Sequence, residues 1–425
     1  MINSRLLIED LQGIKESLSW KGVPSNEVTK AAQLVHQRNQ LIKQVEDLQA
    51  QRNLFSKSIG EFLSQNETNK AKEAKERSIA IKDQLKDLED HLKKTEEELR
   101  SCLLRIPNLP DAKAPRGHSA EDNVEIQREA PENYKQITCP PHWDIGAELS
   151  ILDQERASKI SGSLFTLLRG PGARLLRALV QLAYQIYQED YTEFIVPSLV
   201  NSQTFTGTGH LPKFSGDAYH ITQDDLWAIP TGEVPLTALH REEILSEEDL
   251  PLKYMTYTSC FRREAGSAGQ ETRGLQRLHE FHKVELVKIC HPKDSHKELK
   301  SLLEDALKPI KLLNLPYRVL DLCTGELTYA SARTYDIEVY APGTKQWLEV
   351  SSVGLFTDYQ MRRCRTRFRS GKKLMFPHSL NGSGLATPRV LAALLEHNYQ
   401  KDGRVSIPEP LQDFMGCKYI ERPTV

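Results

Sequence analysis

The chain has 425 residues, 39% of them hydrophobic and 27% charged, with a formal net charge of −2. That length allows two or three domains with a sizeable core, and the near-neutral balance excludes a global pull toward nucleic acid, so any RNA contact must come from local basic patches. No apolar run approaches the roughly 20 residues that span a bilayer. The amino end, Met1-Ile-Asn-Ser-Arg-Leu-Leu-Ile-Glu-Asp10, has neither a secretory h-region nor an Arg/Ser-rich transit composition, so a cytoplasmic location with no membrane partner is expected. The seven cysteines are odd in number and none forms a CxxC pair, which speaks against a disulfide framework and a structural zinc.

From about Val28 to Leu104 the composition is Lys, Glu, Gln and Leu, with no proline. Leu34, Leu41, Leu48 and Phe55 recur every seven residues, with Val45 and Ile59 between. Beyond a polar break at 60–69, Ile81, Leu85, Leu88, Leu92, Thr95, Leu99 and Cys102 alternate steps of four and three, the seam of a coiled coil. Two long helices around a short turn predict an antiparallel hairpin, an arm of roughly 50 Å at 1.5 Å per residue. Arg38, Lys43, Arg52, Lys57, Lys70, Lys72, Lys75 and Arg77 offer phosphate contacts toward its tip, diluted by interleaved acids. Heptads of this kind also serve as spacers or dimerisation elements, so the pattern alone does not establish RNA binding.

Residues 106–115, Ile-Pro-Asn-Leu-Pro-Asp-Ala-Lys-Ala-Pro, read as a linker, and the domain boundary is placed at 110, giving units 1–110 and 111–425. The region to Pro141 is polar and irregular. Arg174 to Tyr187 has helical apolar spacing, and Tyr191 to Val200 reads as one strand interrupted by Pro197. Further β-prone runs are 254–261, 283–289, 317–322 and 335–341, so strands with helices around them predict an α+β domain. No GxxxxGK[ST] loop is present. His279-Glu-Phe-His282 is one residue too short to put both histidines on one helix face for a metal.

Two stretches carry arginines on a β-prone or glycine-containing frame. One is Thr258-Ser-Cys-Phe-Arg-Arg-Glu-Ala-Gly266 running on to Arg273-Gly-Leu-Gln-Arg-Leu-His-Glu-Phe-His-Lys-Val-Glu285; the other is Leu380-Asn-Gly-Ser-Gly-Leu-Ala-Thr-Pro-Arg389. Together they resemble the ATP-binding motifs of class II aminoacyl-tRNA synthetases. Pro141-His-Trp-Asp-Ile-Gly146, Ala157-Ser-Lys-Ile-Ser-Gly-Ser163, Gly207-Thr-Gly-His-Leu-Pro-Lys-Phe214 and Ile229-Pro-Thr-Gly-Glu-Val-Pro-Leu236 follow the order found in the seryl-tRNA synthetase family, bacterial type.

The resemblance implies an antiparallel coiled-coil hairpin followed by an antiparallel β-sheet catalytic domain surrounded by helices. It implies a homodimer that activates serine with ATP and Mg²⁺ and charges tRNA(Ser), bound through the hairpin; it leaves open whether the selenocysteine tRNA is also serylated. Carried over residue by residue, Arg262 would bind the α-phosphate and the seryl carboxylate, where a planar fork can bridge two oxyanions. Arg277 and Arg389 would hold the γ-phosphate end, Phe281 would stack on adenine, and Glu264 would accept from its amine. Glu349 and Ser352 match hard oxygen ligands for Mg²⁺. Thr231 and Glu233 match the loop that receives the substrate ammonium, and Glu285 would accept from the seryl hydroxyl in a pocket lined by Asn381 and Ser383.

Some positions depart from the family pattern. Gly232 stands in place of alanine, His210 of glutamine, and Thr387-Pro388 of Val-Gly. Val353-Gly-Leu-Phe356 replaces a polar run beside the metal-binding edge, which raises a question of local packing there. The alternatives from other classes are an enzyme that loads an amino acid onto a carrier protein, which would lack the arm, and a non-catalytic paralogue, which would have lost Arg262, Glu264, Glu349 or Arg389.

Overall fold

The computed structural model describes residues 1–264 and 273–423, so the Ala265-Gly266 end of the first arginine motif lies outside the described residues. The chain divides into two compact units, residues 2–107 and residues 108–425 together with Met1.

The first unit is built on α1 (Ser25–Ser64) and α2 (Thr68–Leu104). They run antiparallel: Lys30 pairs with Glu98 at 2.9 Å, and Gln49 donates to Glu89 at 3.4 Å. Val45, Ile81 and Leu85 are buried between them with Leu48, Phe55 and Leu88 alongside, which is the seven-residue seam predicted from the sequence. The reversal is shorter than predicted. Gly60 stays helical, since one exposed glycine costs a helix only about 1 kcal/mol, and α1 ends at Ser64. Asn66, at φ +58°, makes the turn. At 40 residues, α1 alone spans about 60 Å.

The second unit is an eight-stranded sheet with helices on it. Its strands in chain order are β1 (Val124–Glu129), β2 (Thr192–Glu193), β3 (Leu252–Phe261), β4 (Glu280–Cys290), β5 (Tyr317–Asp321), β6 (Arg333–Ala341), β7 (Gln346–Thr357) and β8 (His378–Ala386). The spatial order is β1-β5-β6-β7-β8-β4-β3-β2, with every pair antiparallel except β2–β3. The 191–200 segment is therefore not one strand. Thr192–Glu193 joins this sheet and Leu199–Asn201 pairs in a small separate one, with Pro197, which has no amide to donate, between them.

Side chains alternate across a strand, so each residue of a central strand belongs to one face. On the core face Val284, Leu286, Val353, Leu355 and Leu380 pack with residues of α3 (Pro171–Tyr187), α4 (Ser295–Leu312) and α5 (Thr387–Asn398). This explains the apolar Val353–Phe356 run. Val353 and Leu355 are fully buried in the core, and only Gly354 and Phe356 turn the other way. Pro388 sits in the first turn of α5, where an amide has no helical acceptor to lose. The far end of α5 is pinned by Glu396, fully buried, whose carboxylate accepts from the amides of His142 (3.0 Å) and Gly343 (2.9 Å). Among the described residues no helix is long and apolar enough to cross a membrane.

Candidate active site

The opposite face of the same sheet forms the floor of a cavity of about 580 Å³. Strand register assembles it. Glu285 on β4 stands opposite Thr256 on β3 and Ser383 on β8, Lys283 opposite Thr258, and Phe281 opposite Cys260. Gly354 on β7 faces Asn381, and Ser352 faces Asp336 on β6. Residues two apart on these strands share the face, so the chemistry lies in rows.

Glu349 and Ser352 are three apart, which regular alternation would put on opposite faces. The register slips between Ile337/Ser351 and Glu338/Glu349, leaving Val350 as an extra residue. This bulge restores Glu349 to the site face, and both residues line the cavity. Arg262 lies one residue beyond β3 rather than on it, although its amide still donates to the His279 carbonyl at 2.9 Å. Glu264 then turns at φ +49°.

At one end the cavity is cationic. The Arg262 guanidinium lies 5.0 Å over the Phe281 ring, and its Nε donates to the Pro230 carbonyl at 3.4 Å. Arg389, in the first turn of α5, donates to the Glu349 carbonyl at 2.7 Å and to the Gln276 carbonyl at 3.2 Å. Arg277 donates to Glu264 at 2.9 Å, so these two, expected to hold a γ-phosphate and an adenine amine, are held to each other here.

At the other end the cavity is anionic and buried. The Glu233 carboxylate accepts from Gln360 Nε2 at 2.5 Å and Asn381 Nδ2 at 2.6 Å. Burial, then the neighbouring Glu285, push its carboxyl up to about 7. Glu285 is fully buried; its Oε2 accepts from Thr231 at 2.6 Å and is ion-paired with Lys283. Among the described residues its Oε1 has no partner, an acceptor whose desolvation they leave uncompensated. Deeper in the wall, burial and then Arg262 depress His210 to about 3, and its Nδ1 lies 2.9 Å from Thr208 Oγ1.

Of the residues singled out from the sequence, Thr231, Glu233, Arg262, Glu264, Arg277, Phe281, Glu349, Ser352, Asn381, Ser383 and Arg389 line this cavity. Glu285 does not; it sits directly behind Thr231 and Lys283. Three neighbours were not foreseen: Lys283, Gln360 and Asp336. Lys283 could have been found from strand alternation, two residues before Glu285. Gln360 belongs to the short helix Tyr359–Cys364 and carries no local signal.

The donor set suits a hard divalent cation. Asp336 is bonded to Ser352, its Oδ1 is buried without a partner among the described residues, and burial, then the nearby Glu349, push its carboxyl well above the usual range. Two carboxylates and a hydroxyl on one face, with an unpartnered oxygen among them, fit Mg²⁺.

Comparison with known proteins agrees with this fold. The seryl-tRNA synthetase N-terminal domain family matches residues 1–110, and the tRNA synthetase class II core domain (G, H, P, S and T) family matches residues 218–398. The serine–tRNA ligase of Geotalea uraniireducens is 44% identical over 423 residues, 98% of this chain and 99% of its own. That of Thermodesulfovibrio yellowstonii is 44% identical over 426 residues, 99% and 100%. The crystal structure of seryl-tRNA synthetase from Pyrococcus horikoshii complexed with ATP superposes with a TM-score of 0.92 at 31% identity, covering 100% of both chains. With such identity sustained from end to end over both units, the chain belongs to the seryl-tRNA synthetase family.

Proposed function

We propose that this chain is a serine–tRNA ligase that converts serine and ATP to seryl-adenylate and diphosphate, then passes the seryl group to the 3′-terminal ribose of tRNA(Ser). The observation that carries the reading is the two-ended site: three arginines at one end of a single cavity, and at the other a buried Glu233 held by amides beside a Glu285 oxygen with no partner among the described residues.

The seryl carboxylate is already an anion, so attack on the α-phosphorus needs no general base. It needs alignment and positive charge along the triphosphate. Arg262 would bridge the attacking carboxylate and the α-phosphate, Arg389 and Arg277 the outer phosphates, and Phe281 would lie against adenine. Glu349 and Ser352, with Asp336 beside them, would hold Mg²⁺, which when bound neutralises charge on the phosphate oxygens. Glu233 would receive the ammonium. Glu285 Oε1, reached past Thr231 and Lys283, would accept from the seryl hydroxyl. Alanine would leave that oxygen orphaned, and sites of this kind reject the analogue lacking the group by ~10⁴–10⁵.

The hairpin unit would supply the tRNA contact, its support being the lysines and arginines toward the turn. Association of two copies is supported by family membership. The test is amino-acid-dependent ATP–diphosphate exchange with all twenty amino acids and Mg²⁺, without tRNA, followed by charging of tRNA(Ser) and of the selenocysteine tRNA. Exchange with serine alone is the expected result. Exchange with a different small amino acid would move the function to loading another acceptor.

A further inference from the structure

Gln360 lies outside every motif that the sequence presents, yet it is fully buried and makes more site contacts than several motif residues. We propose that Gln360 is a positioning residue for the amino acid, its carboxamide holding the Glu233 carboxylate in the place where the substrate ammonium is received. This rests on the reading that Glu233 takes the ammonium.

Its orientation is set by a chain of bonds. Ser379 Oγ donates to Gln360 Oε1 at 2.7 Å. A hydroxyl can donate or accept, so the sense of the amide is fixed on its other side, where the Thr208 carbonyl can only accept and Nε2 must face it. There it donates to Glu233 Oε1 at 2.5 Å and to the Thr208 carbonyl at 3.1 Å, and both of its N–H groups are used. Asn381, two residues beyond Ser379 on β8, donates to the second Glu233 oxygen at 2.6 Å. The carboxylate is therefore held at both oxygens by amides from two different elements.

Neutral holders matter here. A lysine or arginine in the same place would cancel the charge that the ammonium needs. An amide dipole stabilises the anion and leaves its charge uncancelled. The charged groups facing Glu233 are Glu285 and Lys283 from β4 and Arg262 beyond β3. Lys283 is already paired with Glu285. Burial and Glu285 favour the neutral acid, and the Gln360 N–H opposes them. Without Gln360 the carboxylate loses one anchor and protonates at higher pH, so serine should bind more weakly at neutral pH and recover in alkali.

The experiment uses the full chain with Gln360→Met, Ser379→Ala and Glu233→Gln, measuring KM for serine and for ATP in diphosphate exchange from pH 6 to 9, with a thermal melt for each. Gln360→Met should raise KM for serine about tenfold or more at pH 7, leave KM for ATP within about twofold, and move the serine pH profile to higher pH. Ser379→Ala should act in the same direction and less. A folded Gln360→Met with the parent serine KM and pH profile overturns the proposal. If that variant does not fold, Ser379→Ala decides in the same way: a shifted serine profile supports it, an unshifted one overturns it. Glu233→Gln with unchanged serine KM would instead remove the ammonium assignment, and this proposal with it. A raised KM in Glu233→Gln beside parent behaviour in Gln360→Met removes only the role of Gln360.

Discussion

A Cβ on Gly232 would stand 2.7 Å from Cγ2 of Thr256, so the turn carrying Thr231 and Glu233 lies against the sheet in a gap that admits no side chain. Backbone freedom is not the reason, since Gly232 has an ordinary helical φ of −63°. Its smallness is. Gly232→Ala should cost about 1–3 kcal/mol by overpacking and raise KM for serine as the turn is displaced. Thr256 is buried and its hydroxyl has no partner, so Thr256→Ala should be tolerated alone and should rescue Gly232→Ala. A double-mutant cycle in denaturant that returns additive costs would refute the coupling.

Lys283 and Glu285 form a buried pair beneath the serine end of the cavity. Lys283→Met leaves the carboxylate buried without its cation, and a loss of about 3–5 kcal/mol is expected. Lys283→Met/Glu285→Gln should regain most of that stability while serine-dependent exchange stays absent. Chemical denaturation beside the exchange assay separates the two effects.

Arg262 is exposed on the cavity wall, and among the described residues its side chain makes one long hydrogen bond and one ring contact. Arg262→Ala should therefore leave the melting temperature nearly unchanged while adenylate formation falls by about 10²–10³ or more, as for loss of a group aimed at transition-state charge. Near-normal exchange in this variant would sink the assignment of the arginine end.

The two units have separate interiors, and all of the cavity lining belongs to the second. Replacing residues 35–100 by a short Gly/Ser turn should spare serine-dependent diphosphate exchange and reduce tRNA charging by at least about 100-fold, since the lysines and arginines go with it. Charging at the full rate would remove the hairpin from tRNA recognition.

His210 contributes a pH dependence of stability. Its folded value, about 3, lies below the ordinary 6.5, so below pH 6.5 the unfolded chain takes up a proton that the folded chain refuses. The His210 contribution is fully present above pH 6.5 and falls as the pH drops toward 3, by up to about 2 kcal/mol at pH 5, while Glu233, raised to about 7, contributes with the opposite sign over the same range. His210→Gln should remove that contribution, so the variant's stability relative to the parent should rise by about 2 kcal/mol between pH 7 and 5 in urea titrations. An unaltered slope would place the acid sensitivity elsewhere.

What the sequence made legible follows from signal length. The hairpin could be read because its seam repeats through two long helices, and β3, β4, β5 and β6 because each is apolar and bounded. Strand β1 was missed: Val124 and Ile126 are about half exposed on a sheet edge, so no buried face imprints a pattern. The arginines and glutamates of the motifs were legible because they lie on or just beyond the ends of β3, β4, β7 and β8, whose order sets their spacing. Gln360 and Asp336 were not. Each joins the site through cross-strand or tertiary contact with residues far away in the chain, and that placement has no local trace.

The extra residue at Val350 gives β7 a property that no single side chain confers. Residues before it and after it are read by the sheet with opposite parity, so the strand carries two reading frames joined at one point. Substitutions along β7 leave those frames intact, whereas deleting one residue at 350 would merge them. Glu349 and Ser352 would then stand two apart and stay on one face, whereas a residue deleted between Ser352 and Phe356 would turn one part of that row to the wrong side. Single-residue length changes within that row are thus forbidden in a way that the loss of Val350 is not, and away from the bulge the tolerance of β7 to mutation should be governed by its count of residues before their identity.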